Sequence, residues 1–245
     1  MNYLKSFLFN SLFYVGTALI VTLMLPVLLL PSKFARMIGC FWGWLTCLLL
    51  KIVNIKHVIS GDLHLHEQVI YAVKHQSAWE TIILTWVLGA PAFVLKRELL
   101  SIPVIGWFFQ KTGCIPVDRS AGMRALLEMR SEAIKLVSNG RSILIFPQGT
   151  RVPLHSSTKD YPYQSGIYFL YSQCNIPVIP VAHNAGLFWP KNSFLKYPDR
   201  HKTKTVTLEI MDEIPSGLDK KTFMDRLEKS IEDKTRKLIQ EECDG

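Results

Sequence analysis

A histidine and a glutamate stand five positions apart in Lys74-His75-Gln76-Ser77-Ala78-Trp79-Glu80. On one continuous helix that spacing turns them about 140° away from each other. If His75 sits in a loop and the helix begins after it, Glu80 in the first turn can reach back to the imidazole. A carboxylate holding one ring nitrogen fixes the tautomer and leaves the other nitrogen as a base. The same residues also spell Ser77-x-x-Glu80, a capping box that accounts for the glutamate without any chemistry. The spacing alone leaves both readings open.

Cations gather in three further places. Lys96 and Arg97 follow Phe93-Val94-Leu95, and Arg119 closes Thr112-Gly-Cys-Ile-Pro-Val-Asp-Arg119. Such groups suit a phosphate, although Arg119 could equally pair with Asp118. Phe146-Pro147-Gln148-Gly149-Thr150-Arg151 sets a guanidinium beside a glycine whose backbone can approach an anion closely. As a bare sequence it is also an ordinary turn. Ile102 to Phe109 reads as an apolar loop, suited to an acyl chain, a lipid surface or plain packing. Asn175-Ile-Pro-Val-Ile-Pro-Val-Ala182 has no titratable group and reads as a strand that walls a pocket or fills a core.

These loops need a scaffold. Short apolar runs at Val69–Val73, Ala92–Leu95, Cys114–Val117, Ser142–Phe146 and Ile176–Ala182 predict strands, and the alternation over Lys204–Met211 predicts a half-exposed one. The prolines in Ile176–Ala182 point to an edge or a bulge. Helices are predicted over Ser77–Leu88, Ser120–Asn139 and Asp219–Glu242. In the second, Ser120 is the expected cap, and Met123, Leu127, Ile134 and Val137 share a face. The third should bury Phe223, Leu227, Ile231 and Leu238. Strands alternating with helices define an α/β fold, a mainly parallel sheet flanked by helices.

The first sixty residues are of another composition. The chain has 245 residues and a net charge of +8, yet its first acidic residue is Asp62. Ser6 to Ser32 is uncharged, and the 20 residues before Pro26 span about 30 Å as a helix, the thickness of a bilayer core. A shorter uncharged run, Met37 to Leu50, carries Trp42 and Trp44, residues that favour the headgroup boundary. The first run is too long for a signal peptide and no small-residue cleavage site follows it. Residues 1–55 are therefore expected to be a membrane-anchoring helical pair and 56–245 the α/β domain. Lys33, Arg36, Lys51 and Lys56 follow the first run and Lys5 alone precedes it, so the domain is expected on the cytoplasmic side.

Other chemistries find less support. No G-x-S-x-G elbow is present, which argues against a serine-nucleophile lipase. Five widely spaced cysteines form no C-x-x-C pair, so reduced thiols are expected. His64 and His66 would share a face of a strand but lack a third ligand nearby. The positive charge suits an anionic partner, but its dispersal gives no nucleic-acid motif.

Taken together, H-x-x-x-x-acid, K-x-E-L, G-x-I-x-V-D-R, F-P-x-G-T-R and I-P-V-I-P-V resemble the glycerolipid acyltransferase family, most of all its bacterial 1-acyl-sn-glycerol-3-phosphate acyltransferase (PlsC-type) branch. The resemblance covers about Lys56 to Met211, and the two apolar N-terminal segments fit it too. It implies that His75 is the general base and Glu80 the carboxylate that orients it. It assigns the acceptor's glycerol phosphate to Lys96, Arg119, Gly149, Thr150 and Arg151, and Arg97 joins this substrate-binding set on its charge beside Lys96. It further implies an acyl donor, acyl-CoA or acyl-carrier protein, the acceptor lysophosphatidic acid, a place at the bacterial inner membrane, and no metal or other cofactor. An acyltransferase for another lysolipid, or an inactive membrane-bound partner protein, would share much of this pattern. The chain departs from it twice. Glu80 stands where aspartate is usual, and Gln148 where glutamate usually precedes the glycine, which removes a negative charge beside Arg151.

Overall fold

A computed structural model describes residues 2–23, 25–197 and 203–243. Its centre is a seven-stranded sheet: β1 (Lys56–Ser60), β2 (Ile70–Val73), β3 (Ala92–Lys96), β4 (Ile115–Val117), β5 (Ile143–Ile145), β6 (Val178–His183) and β7 (Thr205–Ile210). They lie in the order β1-β7-β6-β2-β5-β3-β4. Every pairing is parallel except β6 with β7. The expected α/β sheet is therefore present. β1, which no apolar run in the sequence announced, pairs along β7 with an alternating exposure that explains the weak signal.

The helices are α1 (Asn2–Leu23), α2 (Ser32–Leu50), α3 (Trp79–Val87), α4 (Ile105–Thr112), α5 (Met123–Ser138), α6 (Gly166–Cys174), α7 (Ala185–Phe188) and α8 (Lys220–Cys243). β2 alternates its side chains between two cores. Tyr71 and Val73 pack with Trp79, Ile83 and Leu84 of α3, whereas Ile70 and Ala72 pack with α5, α6 and α8. On α8, Phe223, Leu227, Ile231 and Leu238 are buried as their spacing requires, each stabilising the fold by about 1.5–3 kcal/mol. Asp219 caps that helix by accepting from the amides of Lys221 and Thr222.

Three expectations need correction. β6 is neither edge nor bulge: it is fully buried between β7 and β2. Pro180 is tolerated because its missing donor falls between the β7 ladder and the separate Val178–Ile214 bridge. The apolar stretch Ile102–Phe109 is no loop beyond Val104, since α4 starts at Ile105. Its Ile105, Phe108, Phe109 and Thr112 follow the helical i, i+3, i+4, i+7 rule, a signal masked by Pro103 and Gly106. In α5, Met123, Leu127 and Ile134 are exposed, and Ala125, Met129 and Ala133 are buried instead. Ser120 belongs to a preceding turn capped by Asp118, so the helix begins later and its inward face is rotated.

α1 and α2 are both long and apolar enough to cross a membrane, and most of their surface is unburied in the fold. Each is nonetheless joined to the sheet domain. α2 lies so close to α3 that a Cβ at Gly43 would sit 2.8 Å from the Ile82 carbonyl oxygen. α1 buries Ser6, Phe9 and Asn10. Ser6 Oγ accepts from the Lys196 amide, Asn10 Nδ2 donates to the Phe194 carbonyl, and Lys196 Nζ donates to Asn10 Oδ1 while lying over the rings of Phe9 and Trp189.

Candidate active site

β2 ends at Val73, the backbone turns through residues 74–78, and α3 begins at Trp79. His75 thus lies in the loop, as the geometry of the pair demands. Its Nδ1 donates to Glu80 Oε1 at 2.8 Å. The same oxygen accepts from the amides of Gln76 and Ser77, both at 2.8 Å. Glu80 is wholly buried and the His75 ring is 15% exposed. Only half of the capping box forms, since Ser77 Oγ accepts from the Trp79 amide and not from that of Glu80, but the carboxylate that gathers the amides ahead of the helix also holds the ring. Burial on its own would push the Glu80 carboxyl up. The neighbouring imidazoles of His183 and His75 and the Ser77 amide outweigh it and hold the group below the usual carboxylate range.

With Nδ1 engaged, Nε2 is the ring atom left for chemistry. The ring face is fixed by Phe146, stacked 3.9 Å between centroids and 16° from parallel. Spacing alone gave no hint of this contact, although Phe146 opens the F-P-x-G-T-R segment. His75 and Phe146 line a cleft of about 740 Å³ whose walls are mostly apolar. It lies at the carboxyl ends of β2, β3 and β5, where open parallel sheets place their ligands. Ile20 and Trp42 of the N-terminal helices and Phe108 and Phe109 of α4 also line it.

Lys96, Arg119 and Gly149 join His75 on the cleft wall. Arg119 donates to the Gly149 carbonyl. Gly149 has φ +70°, where a side chain is strained, and a Cβ there would lie 3.0 Å from the Arg119 guanidinium, which would have to give way. The Gly149 amide is committed to the Phe146 carbonyl and closes the turn. Lys96 pairs with Glu98 at 2.9 Å in an exposed setting. Thr150 is exposed. Arg151 is half-buried and outside the cleft wall, but the next residue's amide, that of Val152, donates to the His75 carbonyl at 2.8 Å. Arg97 turns away from the cleft and pairs with Glu128. Gln148 is buried and donates from Nε2 to the Tyr161 carbonyl at 3.1 Å. A glutamate would face that carbonyl with a second acceptor, so the amide suits its surroundings. His64 pairs with Glu67 at 3.1 Å.

An α/β scaffold with a carboxylate-oriented histidine facing a long apolar cleft and flanked by cations defines a class suited to proton abstraction from an alcohol beside an acyl chain. The chain matches the Acyltransferase family over residues 53–184 and belongs to it. It is 36% identical over 156 residues to a 1-acyl-sn-glycerol-3-phosphate acyltransferase of Pseudomonas aeruginosa, an alignment covering 63% of this chain and 58% of that protein. A protein of the same name from Limnanthes douglasii is 27% identical over 180 residues, covering 71% and 63%. The matched region thus spans about six-tenths of these relatives. The crystal structure of PlsC from Thermotoga maritima, titled a 1-acyl-sn-glycerophosphate acyltransferase, superposes with a TM-score of 0.77 at 19% identity. That superposition covers 97% of this chain and 98% of that one, and it establishes the shared fold.

Proposed function

We propose that the protein transfers a fatty acyl group from acyl-CoA or acyl-carrier protein to the sn-2 hydroxyl of 1-acyl-sn-glycerol-3-phosphate, giving phosphatidic acid. The observation that carries this reading is the Glu80-held imidazole of His75 opening into a mostly apolar cleft beside Arg119 and Lys96. The acceptor's phosphate meets Arg119 and Lys96, with Arg151 beside the His75 loop as a further cation. Its hydroxyl then approaches His75 Nε2. As that oxygen attacks the thioester carbonyl, its proton passes to Nε2. The tetrahedral intermediate collapses, the carbon–sulfur bond breaks, and His75 returns the proton to the thiolate. No covalent acyl-enzyme is needed. Residues 1–55 hold the domain at the membrane, where both lipids reside, and the remainder faces the cytoplasm.

The names of the relatives support this choice of acceptor over another lysolipid. The test is a purified, detergent-solubilised protein supplied with lysophosphatidic acid and either donor. Phosphatidic acid should form, a phosphate-free monoacylglycerol should react far more slowly, and His75→Ala should reduce kcat by about 10²–10⁴-fold. Equal rates for wild type and His75→Ala would overturn the mechanism.

A further inference from the structure

Glu80 is held unevenly. Its Oε1 accepts from three donors, the His75 ring and the amides of Gln76 and Ser77. Its Oε2 is buried and has no hydrogen-bond donor among the described residues. An ionised oxygen in that position is costly unless some positive edge faces it. The group that does so is a second imidazole. His183, the last residue of β6, is wholly buried, and its Nε2 lies 3.8 Å from Glu80 Oε2.

The tautomer of His183 follows from its neighbours. The Ala185 amide donates to Nδ1 at 3.2 Å, so Nδ1 is the unprotonated nitrogen. Nε2 then carries the hydrogen and donates to the Lys74 carbonyl at 2.7 Å. Lys74 immediately precedes His75, and its amide is bonded to the Val181 carbonyl of β6. The His183 ring therefore pins the backbone from which His75 departs and turns the same N–H edge toward the free side of Glu80.

We propose that His183 is a positioning residue for the reaction proposed above, holding the His75 loop through the Lys74 carbonyl and turning the positive edge of its ring to the Glu80 carboxylate. It meets neither substrate nor the reacting atoms. It acts by keeping Glu80 ionised and Oε1 turned to His75. Among the described residues, the titratable groups around Glu80 are His75 from the loop, His183 from β6, and Lys74, whose ammonium points away to Glu232. Burial keeps His183 itself below the ordinary histidine range, which agrees with a neutral ring.

Three variants test this: His183→Leu removes the N–H edge, His183→Gln retains an N–H donor near the Nε2 position, and Glu80→Gln removes the anion. His183→Leu should lower kcat about tenfold or more, part of what a positioned base contributes, with KM for lysophosphatidic acid within twofold. Its acid limb in the kcat–pH profile should move to higher pH, because Glu80 then protonates more readily. His183→Gln should recover most of the loss. In the Glu80→Gln background the leucine change should cost little more, since the group it acts through is gone. Wild-type kcat and an unmoved acid limb in His183→Leu would overturn the proposal, as would an equal loss with and without the Glu80 carboxylate. A readout free of turnover separates this inference from the functional reading. The Glu80 carboxylate infrared band, assigned by its loss in Glu80→Gln, should disappear at higher pH in His183→Leu than in wild type. If wild type makes no phosphatidic acid, the choice of reaction falls, and that band still decides the role of His183.

Discussion

Two carboxylates flank the end of β2, and adjacent residues reach them. Lys74 extends to Glu232 of α8 at 2.6 Å, where Tyr163 also donates to the same oxygen at 2.9 Å. His75 turns to the opposite face and meets Glu80 at 2.8 Å. Both are short, largely buried pairs of a basic group with a glutamate. They differ in what lies beyond the base. Lys74 is 3% exposed, and although it and Glu232 line a second, more polar cavity, its ammonium is taken up by that carboxylate. His75 keeps one nitrogen uncommitted at the wall of an apolar cleft. A buried ion pair is thus no sign of catalysis in itself. The sign is a base held on one side and open to a ligand on the other.

Beyond loss of His75 itself, the largest effect on this contrast should come from Glu80→Gln. An amide can offer His75 Nδ1 an N–H instead of an acceptor, which favours the wrong tautomer and places the proton on Nε2. Turnover should fall by two orders of magnitude or more by phosphatidic acid formation, a share comparable to general-base help. The variant should also change how stability depends on pH. The folded Glu80 carboxyl is held below its usual value, so it contributes stability above the unfolded value near about 4.3, and that contribution fades as pH falls through the folded value. Thermal unfolding of wild type and variant should therefore differ most near neutrality and converge in acid. A gap that widens below pH 4 would contradict the depressed carboxyl.

Lys74→Met should give the converse result. It leaves Glu232 without its buried cation and should cost up to about 3 kcal/mol of stability. Its effect on kcat should be far smaller than that of Glu80→Gln. Burial holds the Lys74 ammonium below its ordinary range against the pull of Glu232, which is what a structural pair under desolvation looks like. Urea unfolding paired with initial rates measures both quantities. A variant that unfolds like wild type but has lost turnover would assign chemistry to the wrong pair.

The sequence made the cleft's chemical side more legible than its shape. His75, Glu80, Arg119 and Gly149 could be named because several motifs, each ordinary by itself, follow one another in a single order, and the structure brings them together. β2, β3, β5 and β7 were legible because apolar runs and alternation survive in one dimension. What escaped was set by long-range packing. The face of α5 depends on the turn at Gly122, the centrality of β6 on strands far away in the chain, and α4 on a helical pattern opened by proline and glycine. His183 follows a segment without titratable groups, and only the β2–β6 pairing sets it opposite Glu80.

Gly149→Ala tests the cationic side of the cleft at intermediate strength. A Cβ at φ +70° costs about 1–2 kcal/mol in the left-handed region, and here it also meets the Arg119 guanidinium. Arg119 should shift from the Gly149 carbonyl, raising KM for lysophosphatidic acid several-fold and leaving kcat largely intact. A change confined to kcat would mean that the loop serves the transition state and not the bound phosphate.

Arg97→Ala should have the smallest effect, and it bears on where the cleft ends. Its charge beside Lys96 groups Arg97 with the expected phosphate-binding cations, whereas in the fold it is paired with Glu128 on the surface. Glu128 also holds Arg124 at 2.9 Å, so it keeps a partner when Arg97 is removed. Both side chains of the Arg97–Glu128 pair are substantially exposed, where solvent screens such a pair and leaves it little weight. Stability should therefore barely move, and KM for lysophosphatidic acid should stay within twofold of wild type while Arg119→Ala raises it. If Arg97→Ala raised KM as strongly as Arg119→Ala, the acceptor's phosphate would have to bind outside the wall that His75 shares. The rule separating the two glutamates, a base with a free nitrogen at the apolar cleft against a base spent on its carboxylate, would then need a second opening to account for where the substrate is held.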